Sequence, residues 1–267
     1  MLRLVSVLLA YVVVFSQSVA ADSSVSDIRT EKVTYHLQGK AFHGFYAYDA
    51  AINGKRPGVL VVHEWWGQND YARQRAEDLA KAGYAAFALD MYGEGRVASH
   101  PDEAQAFMKA TFAKAETVPM RFDAAFSWLQ QQPQVLNDKI AAIGYCYGGG
   151  VVLGMARAGK DLDAVVSFHG SLATQTPAIT GRVKAKVAVF TGAKDPMVPV
   201  EQVQGFEKEM RAAGVSYTLK SYPNARHSFT NPAANAVAEN TDLPVGYDAE
   251  ADADSWQGML EIFNQVF

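Results

Sequence analysis

Gly58-Val59-Leu60-Val61-Val62 is apolar at successive positions, and so are Ala85-Ala86-Phe87-Ala88-Leu89 and Ile140-Ala141-Ala142-Ile143-Gly144. A strand with one wet face alternates apolar and polar residues, whereas a run like these must be covered on both faces. Between the runs lie stretches with helical spacing. In Asp70 to Ala82, for example, Ala72, Ala76, Leu79 and Ala80 share one face and Gly83 ends the helix. Further helices are expected over Asp102 to Lys114, Pro119 to Gln131, from Gly148 onward and over Val200 to Ala213. Further strands are expected over Ala164 to Ser167, Val187 to Phe190 and Tyr217 to Lys220. Strand and helix in turn specify an α/β architecture, a mostly parallel central sheet flanked by helices. Val33 to Leu37 and Ala41 to Tyr48, joined at Gln38-Gly39-Lys40, read as an antiparallel pair ahead of it. No repeat or linker divides the chain, so a single domain over residues 21–267 is expected.

The N-terminus has a different character. Met-Leu-Arg is followed by an apolar run from Leu4 to Phe15, and then by Ser18 and Ala20 at the positions where signal peptidase requires small side chains. Residues 1–20 therefore read as a signal peptide cut after Ala20, or after Ala21, giving an exported, periplasmic or secreted protein. The apolar run is short for a membrane span, so no stable membrane insertion is expected after cleavage. The 28 acidic residues exceed the 24 basic ones, giving a net charge of −4 that argues against a nucleic-acid partner. One cysteine, Cys146, rules out an internal disulfide.

In sheets of this kind, chemistry collects where strands end at their carboxyl edge. After the run ending at Gly144 stands Tyr145-Cys146-Tyr147-Gly148-Gly149 and then a helix, the pattern of a nucleophile elbow with cysteine at its tip. Glycines flank the tip because a Cβ there would strike the neighbouring backbone, and the helix N-terminus behind it favours a thiolate. Such a nucleophile needs an imidazole and an orienting carboxylate, in the chain order nucleophile, acid, histidine. Asp195, in Gly192-Ala193-Lys194-Asp195, and His227, in Ala225-Arg226-His227-Ser228-Phe229, follow later strands in that order. The backbone N–H groups of Tyr147 and Trp65 are the expected oxyanion donors. Glu64, just before Trp65, is expected near Cys146, where a buried carboxylate would influence the thiol proton. His63 and Glu64 are adjacent and point apart, so no metal site is expected, and no cofactor.

Together with His63-Glu64-Trp65-Trp66-Gly67 and Asp90-Met91-Tyr92, these motifs resemble the dienelactone hydrolase family over Pro57 to Phe229. The resemblance implies the α/β-hydrolase fold and cofactor-independent hydrolysis of small-molecule enol-lactones such as carboxymethylenebutenolides. It implies Cys146 as nucleophile, His227 as base, Asp195 as orienting acid and Glu64 as the group that engages the resting thiol. Family members hold the substrate carboxylate with two arginines. Here the position four residues beyond the histidine is Asn231, and the segment after Asp90-Met91-Tyr92 reads Gly93-Glu94-Gly95-Arg96. Arg96, Tyr92 and Asn231 are the resulting candidates for substrate contact. Trp65, Trp66, Tyr92, Tyr145 and Tyr147 are candidates for an apolar acyl or lactone pocket.

The segment from Asn231 to Tyr247, with Pro232, Pro244 and Gly246, reads as an irregular loop near the site. Asp248 to Phe267 reads as a closing helix with Trp256, Leu260, Phe263 and Phe267 on its packed face. Two readings of another kind compete with hydrolysis: a thiol redox sensor built on Cys146, and a non-catalytic ligand-binding protein on the same fold. A sensor would want a resolving cysteine, which the chain lacks, and a binder has no need of Cys146, Asp195 and His227 together.

Overall fold

The computed structural model describes residues 26–267, so the expected signal peptide and its cut at Ala20 or Ala21 lie outside the described residues. One eight-stranded sheet in the order β1-β2-β4-β3-β5-β6-β7-β8 forms the centre. Strands β1 (Ile28–Leu37) and β2 (Lys40–Asp49) make the expected antiparallel hairpin, and β2 runs antiparallel to β4 (Ala85–Leu89). From there β3 (Arg56–Val62), β5 (Val135–Tyr145), β6 (Ala164–Phe168), β7 (Lys186–Gly192) and β8 (Tyr217–Tyr222) continue in parallel.

Val59 to Val62 in β3 and all of β4 are sealed from solvent. The two-sided apolar runs demanded this, and each valine, leucine or phenylalanine among them contributes about 1.5–3 kcal/mol by leaving water. One face is covered by α1 (Asp70–Lys81) and α7 (Ala249–Val266). The other is covered by α3 (Thr117–Gln130), α4 (Tyr147–Ala158) and α5 (Val200–Ala212). On α1 the buried face includes all four expected residues, Ala72, Ala76, Leu79 and Ala80. On α7 the buried residues are Ala251, Ser255, Met259, Ile262 and Phe263. Of the expected stripe only Phe263 is fully enclosed, while Trp256, Leu260 and Phe267 pack at its margin.

Two outer helices complete the fold, α2 (Pro101–Phe112) and α6 (Ala234–Thr241). Helix α6 corrects the expectation of an irregular loop after Asn231. Its residues are mostly exposed, with Ala234 alone fully buried, so it has no apolar stripe from which it could be read.

Strand β5 also begins earlier than expected, at Val135 rather than Ile140. The exposed Asn137 and Asp138 sit where its pairing with β3 shifts register beside Pro57 and Gly58.

The chain moves outward from β3 to β4 and then crosses back to β5 on the other side of β3. The carboxyl ends of β3 and β5 therefore flank the switch point at which open α/β sheets form their crevice. Pairing of Val62 with Gly144 and of Tyr145 with Phe168 brings Glu64, Cys146 and His169 to one level.

Candidate active site

Cys146 is the cap residue of α4 and has φ 51° and ψ −115°, a conformation that L residues rarely adopt and that costs about 1–3 kcal/mol. Its neighbours explain why the turn holds. A Cβ on Gly144 would lie 2.1 Å from the carbonyl oxygen of Gly148, and one on Gly148 would lie 2.3 Å from that of Val62. No other residue fits either place without moving a central strand.

His227 stands beside Cys146 on the loop after β8. Its Nδ1–H donates to Asp195 Oδ2 at 2.7 Å, and Asp195, on the loop after β7, also accepts from the Met197 N–H at 2.8 Å. The remaining ring nitrogen, Nε2, is buried and has no hydrogen-bond partner among the described residues. Burial opposes charging of this imidazole. The negative charges of Cys146 and Asp195 outweigh it and hold the His227 pKa well above the ordinary value. His227 is thus oriented by the Asp195 carboxylate with Nε2 left free for proton transfer.

Glu64 is buried, and its carboxylate accepts from Ser228 Oγ at 2.8 Å and from Asn231 Nδ2 at 2.7 Å. Burial raises its pKa, while those two donors and the charge of His227 favour the ionised form. Both carboxylate oxygens therefore hold the segment after His227, and no hydrogen bond joins Glu64 to Cys146. The backbone N–H groups of Tyr147 and Trp65 donate no hydrogen bond among the described residues and remain available to an oxyanion.

The Trp65 loop is braced from below. Asp90 accepts from the N–H groups of Tyr92, Gly93, Gly95 and His43, and the folded loop directs the Tyr92 hydroxyl to the Trp65 carbonyl at 2.8 Å. His63 spends both ring nitrogens on backbone: Nδ1 meets the Glu64 carbonyl and Nε2 accepts from the Met91 N–H at 3.2 Å.

These bonds place two of the candidate substrate contacts outside the cavity wall. Tyr92 supports the Trp65 loop and does not line the cavity. Arg96 donates to the carbonyls of Gly93 and Tyr92 with its guanidinium 5.2 Å from the Phe107 ring, and it too lies outside the cavity wall. Of the other candidate pocket residues, Trp65, Trp66 and Tyr147 line the cavity, whereas Tyr145 is buried beneath it against Phe168. Asn231 does reach the cavity wall, with its amide on Glu64.

A residue that motif reading passes over is His169, at the end of β6 with φ 41°. It is fully buried. The Cys146 N–H is shared between the Phe168 carbonyl at 3.0 Å and His169 Nδ1 at 3.2 Å, and His169 Nε2 lies 2.7 Å from Thr230 Oγ1, where it donates when Nδ1 accepts. Thr230 in turn bonds the Tyr71 hydroxyl at 2.6 Å, and Arg75 ties the Thr230 carbonyl to Asp252. Burial pushes the pKa of His169 well below the ordinary imidazole value, and the charges of His227 and Arg75 act in the same direction. The one cue in the sequence was its place directly after a strand.

Above Cys146 and His227 lies a cavity of about 450 Å³, within the range of small-molecule sites. Helices α2 and α6 supply Met108, Phe112 and Val237 to its walls, facing Trp65, Trp66 and Tyr147.

Known proteins resemble this chain in sequence and fold. The sequence profile of the dienelactone hydrolase family matches residues 42–267. A putative carboxymethylenebutenolidase of Synechocystis sp. is 28% identical over 251 residues, 89% of this chain and 97% of the relative. Among solved structures, one titled m3DLH matches with TM-score 0.83 and 36% identity over 90% of this chain and 99% of the other. A dienelactone hydrolase-like promiscuous phosphotriesterase from metagenomic libraries matches with TM-score 0.82 and 34% identity, with the same coverage.

Proposed function

Because this chain belongs to the dienelactone hydrolase family, we propose that it hydrolyses a carboxylic ester or lactone through a Cys146, His227 and Asp195 triad and a thioacyl-enzyme intermediate. The observation that carries this reading is the strained elbow that holds Cys146 beside the 2.7 Å His227–Asp195 pair at the floor of a substrate-sized cavity.

The Cys146 thiolate attacks the acyl carbon, and the carbonyl oxygen becomes an oxyanion received by the N–H groups of Tyr147 and Trp65. Each such donor contributes about 10²–10³ in kcat in comparable enzymes. The tetrahedral intermediate collapses with cleavage of the acyl C–O bond, and the departing alkoxide takes the Nε2 proton of His227. Neutral His227 then accepts a proton from water, which attacks the thioester. Expulsion of the thiolate releases the acid and restores the resting pair. Asp195 keeps the ring in the tautomer that leaves Nε2 facing the reaction. Glu64 acts through Ser228 and Asn231, holding the segment that carries His227, and its charge favours the imidazolium. The N-terminal sequence supports export as the setting for this chemistry.

Initial rates on a carboxymethylenebutenolide and on an aryl acetate, with Cys146→Ala alongside, test the reading. Turnover of either that vanishes in Cys146→Ala is the expected result. Turnover retained in that variant would remove Cys146 from the mechanism.

A further inference from the structure

We propose that the cavity selects uncharged substrates, taking a neutral ester or lactone with an apolar substituent and rejecting one that carries a carboxylate. This rests on the ester-hydrolase reading of the same site.

No lysine, arginine, aspartate or glutamate lines the cavity among the described residues. Arg226, beside His227, is exposed and does not line the cavity, and three other arginines of the surrounding elements are committed elsewhere. Arg96 and Arg121 donate to backbone carbonyls, and Arg75 donates to the Thr230 carbonyl and Asp252. Of the polar side chains in the wall, Ser228 and Asn231 are engaged with Glu64, and Ser171 adds only a neutral hydroxyl. Ser228 donates its hydroxyl proton to Glu64, while Asn231 gives Nδ2 to Glu64 and accepts the Ala233 N–H with Oδ1 at 3.0 Å.

What remains for a substrate is the reacting set, the Ser171 hydroxyl and a largely apolar surface, extended outward by Phe112, 50% exposed, and Met197, 38% exposed. The reacting set adds nothing attractive to an anion. Thiolate and Asp195 carry two negative charges against the one positive charge of His227, and Glu64 lies directly behind Ser228 and Asn231. A carboxylate brought into this space would lose its water without gaining a cation, whereas an ester carbonyl loses little and gains two backbone donors. The carboxylate of a carboxymethylenebutenolide would meet the same penalty, so the family's enol-lactone is expected to be a poorer substrate here than a neutral aryl ester.

Three aryl esters of one chain length separate charge from size: 4-nitrophenyl valerate, the 4-nitrophenyl ester of glutaric acid with its far carboxyl free, and the same compound with that carboxyl methylated. The expected kcat/KM for valerate and for the methylated compound exceeds that for the free acid by about 100-fold or more. Val237→Lys, which places a cation on the α6 wall, is expected to narrow the gap between the free acid and the methylated compound by about tenfold. Equal Cys146-dependent rates on all three compounds would overturn the selectivity while leaving the hydrolase reading intact. Poor turnover of both the free acid and its methyl ester, with rapid turnover of valerate, would assign the discrimination to size and also overturn it. Absence of Cys146-dependent turnover on all three would remove the hydrolase reading and the inference with it.

Discussion

The floor beneath Cys146 and the cavity above it are built from opposite materials. Below, Cys146 N–H, His169, Thr230, Tyr71, Arg75 and Asp252 form a continuous hydrogen-bonded chain that runs from the buried interior to the half-buried Asp252. Above, the walls are mostly aromatic and aliphatic, with no lysine, arginine, aspartate or glutamate among the described lining residues. Polar groups that satisfy one another stiffen a scaffold, because each would be costly to leave unpaired. Polar groups held free in an apolar space are available to a ligand. The free ones here include Cys146, His227 Nε2, the Ser171 hydroxyl and the two backbone N–H groups. The division predicts that changes in the floor act on stability, changes in the cavity wall act on substrate choice, and changes at the boundary act on rate.

The largest effect is expected at the boundary. Asp195→Asn preserves the shape of the acid but permits the wrong tautomer of His227, and kcat should fall by on the order of 10³–10⁴ with little change in KM. A loss confined to KM would place Asp195 among the substrate contacts instead.

In the floor, His169→Ala leaves the Thr230 hydroxyl with Tyr71 as its one remaining partner and empties an imidazole-sized space. Unfolding free energy measured in urea should drop by about 2–4 kcal/mol. A drop below about 0.5 kcal/mol, within the range of ordinary surface changes, would mean that the polar chain is not a structural unit.

The pH dependence of stability sharpens the same contrast, since the two histidines lie 5.3 Å apart and are displaced in opposite directions. Burial keeps His169 neutral in the folded state. Below about pH 6.5 the unfolded chain takes up a proton that the folded one refuses, and stability falls on acidification. For His227 the charges of Cys146 and Asp195 overcome burial. Its contribution is complete below about pH 6.5 and is lost as pH rises through the folded value. Each slope is limited to about 1.4 kcal/mol per pH unit. His169→Gln should flatten the acid side and His227→Gln the alkaline side. Equal slopes in wild type and variants would contradict both assignments.

The smallest effect belongs to the wall. Val237→Ala trims a half-buried side chain on an outer helix, and its cost in stability should stay below about 1 kcal/mol. The ratio of kcat/KM for long against short acyl esters should nevertheless shift several-fold. A loss of stability like that of His169→Ala, with no shift in the ratio, would erase the distinction between wall and floor.

These regions were unequally legible in the sequence. The sheet could be read because burial on both faces leaves a run such as Val59 to Val62 with no polar position, and the elbow because its glycines answer specific close approaches. The acid and histidine could be read from chain order and strand ends. The polar floor could not, since His169, Tyr71 and Arg75 are far apart in sequence and each looks ordinary alone. Helix α6 was hidden because it covers a cavity and not the core, which leaves Ala-Asn-Ala-Val-Ala-Glu without an apolar stripe between its flanking prolines. Arg96 and Tyr92 show a further limit. Sequence places them near the site, but the backbone folded around Asp90 turns both toward carbonyl groups.

The central claim is that Cys146 forms a covalent acyl intermediate. Its most direct test mixes the protein with 4-nitrophenyl valerate, records the first turnover and quenches in acid for mass spectrometry. With so good a leaving group, acylation should outrun release, giving a burst approaching one nitrophenolate per chain and a valeryl group on the peptide containing Cys146. An acyl group found on another residue, or turnover undiminished in Cys146→Ala, would contradict the account.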